Sequence, residues 1–158
     1  MIVGIISDSH DHLPAIARAV EVFKARGCAT VIHAGDIVSP FAARLFVSKK
    51  WRIEAVFGNN DGEKKGLRRC LPGIRKPPLV LELDGRKVIV AHKFEQLEPE
   101  IPARKPFAGI YGHDHLVNVT SKKNGLLINP GESCGYLTGR STVAIWDTQG
   151  DTVDIIEI

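Results

Sequence analysis

Residues that can bind a metal ion occur in five short groups along this chain. The groups are Asp8-Ser9-His10, Gly35-Asp36, Asn59-Asn60-Asp61, His92 and His113-Asp114-His115. Each group alone is a weak signal, because an aspartate can cap a helix and a histidine can be a hydrogen-bonded core residue. Together they offer seven donors, namely Asp8, His10, Asp36, Asn59, His92, His113 and His115. Seven donors exceed the need of one tetrahedral ion and suit two divalent ions that share a carboxylate, as in two-metal hydrolytic sites.

The elements that must position these donors are short apolar runs, and each donor group follows one of them. The runs cover residues 1–6, 29–34, 53–57, 87–91 and 107–111. Nearly continuous apolar runs of this length are typical of buried parallel strands. Because open α/β sheets bind ligands just beyond the carboxyl ends of their strands, we expect the donors to converge on one rim. Carboxylate and imidazole donors together suit Mn²⁺, Fe²⁺, Co²⁺, Ni²⁺ or Zn²⁺.

Helices are predicted between the first strands, and the second half is predicted to be rich in strands. Apolar residues at helical spacing predict a helix over residues 13–26, and Ser39-Pro40 is a helix start whose apolar pattern continues to Val47. Asp84-Gly85 predicts a hairpin turn, and residues 93–106 are predicted to form a loop with one helical turn. Further strands are expected over residues 117–121, 126–128, 142–146 and 152–158. This order favours an α/β protein with two packed sheets and helices outside them.

Composition narrows the class of protein. A chain of 158 residues is most simply one domain, over residues 1–158, and a net charge of +3 is too small to indicate nucleic-acid or membrane binding. Three cysteines without a Cys-x-x-Cys pair indicate buried thiols rather than a disulfide framework or a thiolate zinc site. No apolar run approaches the length of a membrane span, so a cytoplasmic protein is expected.

The ordered set of motifs resembles the calcineurin-like metallophosphoesterase superfamily, and Asn129-Pro130-Gly131 resembles its small prokaryotic phosphodiesterase branch. The resemblance implies a four-layer α/β/β/α sandwich of two mixed sheets flanked by helices. It also implies two divalent ions, with Mn²⁺ a frequent activator, and a bridging hydroxide that attacks phosphorus. The first ion would be held by Asp8, His10, Asp36 and His115. The second would be held by Asp36, Asn59, His92 and His113, so that Asp36 bridges the two.

The chain departs from the family pattern at three places. Asn60 stands where many relatives have a histidine that protonates the leaving group, and an amide cannot do so near neutral pH. Asn60 and the adjacent Asp61 are the candidate catalytic residues, with Asp61 expected to orient its neighbours rather than touch substrate. Lys93 stands where glycine is usual, and Glu132 where serine is common. The basic stretch Lys64–Arg69 is interpreted as a solvated helix face, with guidance of phosphate as the alternative.

The function that follows is a metal-dependent phosphodiesterase acting on small, nucleotide-like or varied diesters. The alternatives are a nuclease, which the modest charge does not favour, and a phosphomonoesterase, which Asn60 weakens. A non-catalytic scaffold of the retromer-subunit type is a further alternative, against which stands the complete set of ligands. Relatives often form dimers or larger assemblies, so the resemblance allows a homo-oligomer.

Overall fold

The computed structural model describes residues 1–48 and 50–158, which form two mixed sheets. The first half alternates strands and helices: β1 Ile2–Ile6, α1 Leu13–Ala25, β2 Thr30–His33, α2 Pro40–Arg44, β3 Arg52–Val56, α3 Lys64–Cys70 and β4 Ile74–Arg75. The second half is mostly strand: β5 Leu79–Leu83, β6 Arg86–Val90, α4 Phe94–Leu97, a 3₁₀ turn at Glu98–Glu100, β7 Phe107–Ile110, β8 Val117–Lys122, β9 Gly125–Pro130, β10 Thr142–Asp147 and β11 Thr152–Glu157.

Each sheet contains a run of parallel strands, flanked by antiparallel pairs on one side in the first sheet and on both sides in the second. The first sheet has the order β11-β10-β1-β2-β3-β4, in which β1 to β4 run parallel, β10 pairs antiparallel with β1, and β11 pairs antiparallel with β10. The second has the order β5-β6-β7-β9-β8, in which β6, β7 and β9 run parallel. The parallel strands of each sheet therefore have their carboxyl ends at one edge, and this edge is where ligands bind in α/β folds.

The apolar core is divided into layers by the two sheets. The layer between them contains side chains from both, with the fully buried Ile5, Val90 and Trp146 among its members. A second layer packs α1, α2 and α3 onto the outer face of the first sheet, and a third packs Leu97 of α4 onto the second sheet. The order helix, sheet, sheet, helix confirms the predicted α/β/β/α sandwich.

The second helix is shorter than its sequence pattern predicts. It ends at Arg44, and the next backbone amides, of Leu45 and Phe46, donate to carbonyls three residues back. Leu45 is 38% and Val47 58% exposed, so the two residues do not extend a buried helical face. The predicted helix to Val47 is therefore wrong, because apolar spacing alone cannot distinguish a helix from a tightening turn.

No helix among the described residues combines the length and apolar character that crossing a bilayer would require.

The sequence does not predict the two-residue strand β4, since so short a segment has no detectable periodicity. The segment at 93–106 contains the expected helical turn, which α4 and the 3₁₀ turn extend.

Packing of α1 on β1 is a determinant of stability that can be measured. Phe23 is fully buried and lies so close to Gly4 that a Cβ there would be 2.6 Å from its ring. We expect Phe23→Ala to lower the free energy of unfolding by about 3–5 kcal/mol in urea titrations, because a large cavity is left. Phe41→Ala is the matched control, since Phe41 is 71% exposed, and it should change stability by less than about 0.5 kcal/mol. Equal losses would contradict this packing.

Candidate metal centre

The seven candidate ligands meet at one rim, and both sheets contribute to it. Asp8 and His10 follow β1, Asp36 follows β2 and Asn59 follows β3. From the second sheet, His92 follows β6, while His113 and His115 follow β7. The rim predicted from the strand ends is therefore formed, and it straddles the boundary between the sheets.

Four pairs of polar atoms at this rim face one another at distances longer than most hydrogen bonds. The Nε2 atoms of His92 and His10 lie 3.4 and 3.6 Å from Asp36 Oδ2. His115 Nε2 lies 3.5 Å and His10 Nε2 3.8 Å from Asp8 Oδ1. The separation within these histidine–aspartate pairs leaves room for a cation between them.

Two buried atoms at the rim lack any hydrogen-bond partner among the described residues, Asp8 Oδ1 and His10 Nε2. An unpaired buried polar atom is costly, so each such atom requires an explanation. Asp8, His10 and Asp36 each offer a ligand atom, and these atoms lie within 4.8 Å of one another. Carboxylate and imidazole donors in this arrangement fit a divalent ion.

Asp36 remains ionised although it is buried. Burial raises the pKa of its carboxyl group, but the facing His92 ring and the hydrogen bonds from Asn60 outweigh burial and hold the pKa well below its usual range. For His92 the balance is reversed: burial lowers the pKa, while the facing Asp36 carboxylate raises it above the ordinary value. The rim therefore holds negative charge that attracts either a protonated imidazole or a cation.

The histidines are oriented by their second ring nitrogen. His92 Nδ1 lies 2.9 Å from the Ala34 carbonyl, which can only accept, so this nitrogen donates and Nε2 faces the rim. His92 Nε2 also lies 2.9 Å from Asn59 Oδ1, and the rings of His92 and His113 meet edge to face at 5.1 Å. Fixing one nitrogen in this way is how metal-binding histidines are held in one tautomer.

Five of the seven candidates have a left-handed backbone, which is uncommon outside glycine. The φ angles are 50° at Asp8, 40° at His10, 59° at Asp36, 75° at His113 and 64° at His115. Each such residue costs on the order of 1 kcal/mol, and strained residues of this kind cluster at functional sites. Backbone hydrogen bonds hold these residues in the strained conformation. For example, the N–H of Asp8 donates to the Gly35 carbonyl, and the N–H of His10 donates to the Asp36 carbonyl.

Asp61 positions the loops of the rim. Its side chain is 1% exposed, and its two oxygens accept the backbone N–H groups of Asp36 at 3.1 Å, Val38 at 2.7 Å and Gly58 at 2.7 Å. With its acceptors occupied in this way, Asp61 is placed to orient Asp36 rather than to contact substrate.

Asn60 is exposed and lies directly on the Asp36 carboxylate. Its backbone N–H donates to Asp36 Oδ1 at 2.8 Å, and its side-chain amide donates to Oδ2 at 2.8 Å. Asn60 therefore touches the carboxylate expected to bridge the ions, and it is the candidate catalytic residue with access to solvent.

Glu132 is the functional residue whose role the sequence left undefined. It is fully buried, and its carboxylate accepts His115 Nδ1 at 2.7 Å together with the backbone N–H groups of Tyr136, Leu137 and Thr138. Burial raises its pKa, but these hydrogen bonds prevail and lower the pKa to about 2. Glu132 thus fixes the His115 ring and the loop after β9. Only the Asn129-Pro130-Gly131 motif just before it marks this position in the sequence.

Two further buried groups lie beside the rim, His33 and Cys134, and Cys134 Sγ is within 4.8 Å of a ring nitrogen of both His10 and His115. Complete burial lowers the pKa of His33 to about 3. The Gly35 N–H donates to its Nδ1, so Nε2 carries the proton toward Ser9 Oγ at 2.9 Å. Burial raises the pKa of Cys134 to about 12, so its thiol stays protonated and donates to Glu132. The interpretation of Cys134 as a buried thiol agrees with its 2% exposure.

The contact between Glu132 and His115 generates a prediction. We expect Glu132→Gln to weaken divalent metal binding roughly 10- to 100-fold, because the ring of His115 loses its ionic partner. Titration calorimetry with Mn²⁺ measures this. Glu95→Gln, at an exposed position on α4, is the matched control and should bind Mn²⁺ as the unaltered protein does. Unchanged binding in Glu132→Gln would show that the charge of Glu132 does not support metal binding through His115.

Comparison with known proteins agrees with this geometry. Residues 1–151 match the family model of the calcineurin-like phosphoesterase superfamily domain. Phosphodiesterase MJ0936 of Methanocaldococcus jannaschii is 41% identical over an alignment 156 residues long, which covers 94% of this chain and 94% of that protein. A solved structure described as a novel archaeal phosphodiesterase is 38% identical with a TM-score of 0.89, over the full length of both chains.

The same fold also occurs in more distant proteins. A Vps29 structure from Entamoeba histolytica has a TM-score of 0.68 at 14% identity, covering 100% of this chain and 99% of that one. At such identity the likeness concerns the fold alone. The family match and the archaeal relative decide the assignment, and they confirm both the resemblance inferred from the motifs and the expectation of a phosphoesterase. The chain belongs to the calcineurin-like phosphoesterase superfamily.

Proposed function

We propose that this chain is a metal-dependent phosphodiesterase that hydrolyses small diesters, nucleotide-like or varied, at the rim described above. The observation that carries the proposal is the pair of orphaned buried atoms, Asp8 Oδ1 and His10 Nε2, among donors 3.4–3.8 Å apart. The names of the archaeal relatives support the diester as the substrate class.

Two divalent ions are proposed, with Mn²⁺ as the favoured metal and Ni²⁺, Co²⁺, Fe²⁺ or Zn²⁺ as alternatives. One would be held by Asp8, His10, Asp36 and His115, and the other by Asp36, Asn59, His92 and His113. When bound, such ions lower the pKa of water and offset charge on phosphoryl oxygens.

The residues of the chain supply orientation rather than proton transfer. The Ala34 carbonyl and Glu132 fix His92 and His115, while Asp61 fixes the loop of Asp36. Asn60 can donate a hydrogen bond to an ester oxygen, but it carries no proton that can leave near neutral pH. Without a general acid, diesters with good leaving groups should react fastest.

The alternatives receive less support from the described residues. A net charge of +3 does not favour a nuclease that follows a long phosphate backbone. A phosphomonoesterase is disfavoured by the amide at Asn60. A scaffold has no need of seven converging ligands, and the likeness to Vps29 supports it at the level of fold only.

Metal add-back tests the proposal. Protein stripped of metal should not hydrolyse bis(p-nitrophenyl) phosphate, and Mn²⁺, Ni²⁺, Co²⁺, Mg²⁺ or Zn²⁺ added singly should restore turnover to different extents. Asp36→Ala should stay inactive with every metal, because both ions lose a shared ligand. Faster cleavage of p-nitrophenyl phosphate than of the diester would favour the monoesterase. Failure of every metal on both esters would favour the scaffold.

Replacing the amide by an acid tests the role of Asn60. We expect Asn60→His to raise kcat several-fold on diesters of alkyl alcohols or nucleosides, because an imidazolium can protonate a poor leaving group. On bis(p-nitrophenyl) phosphate, whose leaving group needs no proton, the change should be small. Asn60→Gln, which supplies an amide without an acid, is the control. A gain that is equal for both kinds of diester would refute this role.

A further inference from the structure

We propose that the basic pocket beside the metal centre, lined by Lys64, Arg68, Lys76 and Lys93, binds a second phosphate group on the substrate. This inference rests on the proposed function and narrows its substrate class to diesters that carry an additional terminal phosphate. Such molecules include dinucleotides phosphorylated at one end.

The pocket adjoins the proposed metal site directly. Its volume is about 370 Å³, and its lining includes Asn59 and His92, two of the candidate ligands. A pocket of this size accommodates a small group rather than a folded partner. A diester at the centre would therefore place one of its two alcohols toward this pocket.

Three separate segments supply the four cations. Lys64 and Arg68 are one helical turn apart on α3, and both lie over the ring of Phe57, at 5.8 and 4.9 Å from its centroid. Lys76 follows β4, and Lys93 immediately follows His92. The Phe57 ring is 5% exposed and forms a fixed base beneath the two α3 cations.

These cations have no acidic partner within the part of the chain that the structure describes. Ion pairs form elsewhere, between Arg86 and Asp151 and between Lys87 and Glu100, but none involves a cation of the pocket. No acidic residue is part of the pocket lining. Like charges held together repel unless an anion joins them, so the pocket has a net attraction for anions.

A phosphate monoester is the anion that best fits this lining. It carries close to two negative charges at neutral pH, and its oxygens accept several charge-assisted hydrogen bonds. Arginine binds phosphate through two parallel N–H groups, and lysine binds it as a point charge. The reacting diester phosphate carries one charge and would lie at the metal centre, so the pocket is available for a second group.

Helix α3 provides a matched control for charge. Lys65 and Arg69 are spaced as Lys64 and Arg68 are, and all four are exposed, but only Lys64 and Arg68 line the pocket. The double variants Lys64→Gln/Arg68→Gln and Lys65→Gln/Arg69→Gln therefore remove the same charge from the same helix. The exposure of all four residues agrees with the solvated helix face predicted from the sequence.

The experiment compares kcat/KM for thymidylyl-thymidine with that for its 5′-phosphorylated and 3′-phosphorylated forms, with the activating metal present. We expect at least about a tenfold preference for one phosphorylated form, as charge-assisted hydrogen bonds provide. The ratio of the kcat/KM values for the phosphorylated and unphosphorylated forms should fall to about 1 in Lys64→Gln/Arg68→Gln. It should be unchanged in Lys65→Gln/Arg69→Gln. Lys93→Gln provides a second pocket variant if the first does not fold. No preference in the unaltered protein, or equal loss in both double variants, overturns the inference.

A binding measurement separates this inference from the proposed function. Thymidine 3′,5′-bisphosphate should bind the metal-loaded protein more tightly than thymidine 5′-monophosphate by calorimetry, and the pocket variant should lose the difference. This holds even if no diester is cleaved, in which case the proposed function alone fails. Equal binding of the two nucleotides, or tight binding of a single-stranded oligonucleotide irrespective of a terminal phosphate, overturns the pocket assignment.

Discussion

The arrangement of the rim follows from one constraint, the burial of two ionised carboxylates side by side. Asp8 is 0% and Asp36 1% exposed. Removing a carboxylate from water is costly unless hydrogen bonds or opposite charge replace the lost hydration. Ser7 Oγ at 2.6 Å and the His113 N–H at 3.0 Å donate hydrogen bonds to Asp8 Oδ2 and replace part of its lost hydration. The oxygen left over, Oδ1, points at the histidines, so the remaining compensation has to come from positive charge at the rim.

Close approach of backbone to carboxylate makes this compensation possible. A Cβ at Gly112 would lie 1.9 Å from Ser7 Oγ, and one at Gly58 would lie 2.1 Å from Asp36 Oδ1. Glycine is therefore required at both positions, because any side chain would push a loop away from the carboxylate that it covers. The residues with a positive φ in the same loops, such as Asp36 and His113, are strained, and this strain lowers the stability of the folded protein. Packing in the apolar layers must offset that loss.

The sequence predicted what depends on local pattern, and it missed what depends on loops meeting in space. The strands, the order of the motifs and the sandwich follow from apolar runs and from residues such as Asp36 and His92 at their ends. The contact between Glu132 and His115 could not be derived, because no local pattern links two loops that meet only in the folded chain. Likewise Lys93 and Arg68 are unremarkable cations until folding brings them to one pocket. The end of α2 was missed because turn and helix share the same spacing over a few residues.

The division of the candidate ligands between the sheets has a consequence for how the molecule holds together. Strands β1 to β3 and strands β6 and β7 belong to different hydrogen-bonded ladders, which meet through the apolar layer between them. Apolar packing is non-directional and allows two sheets to slide slightly. An ion with ligands from both sheets would oppose this sliding, because its coordination bonds have fixed lengths and directions. Metal binding would then slow the opening of backbone hydrogen bonds in both sheets together, including strands that lie far from the rim. The ion would serve as a structural tie between two halves as much as a reagent.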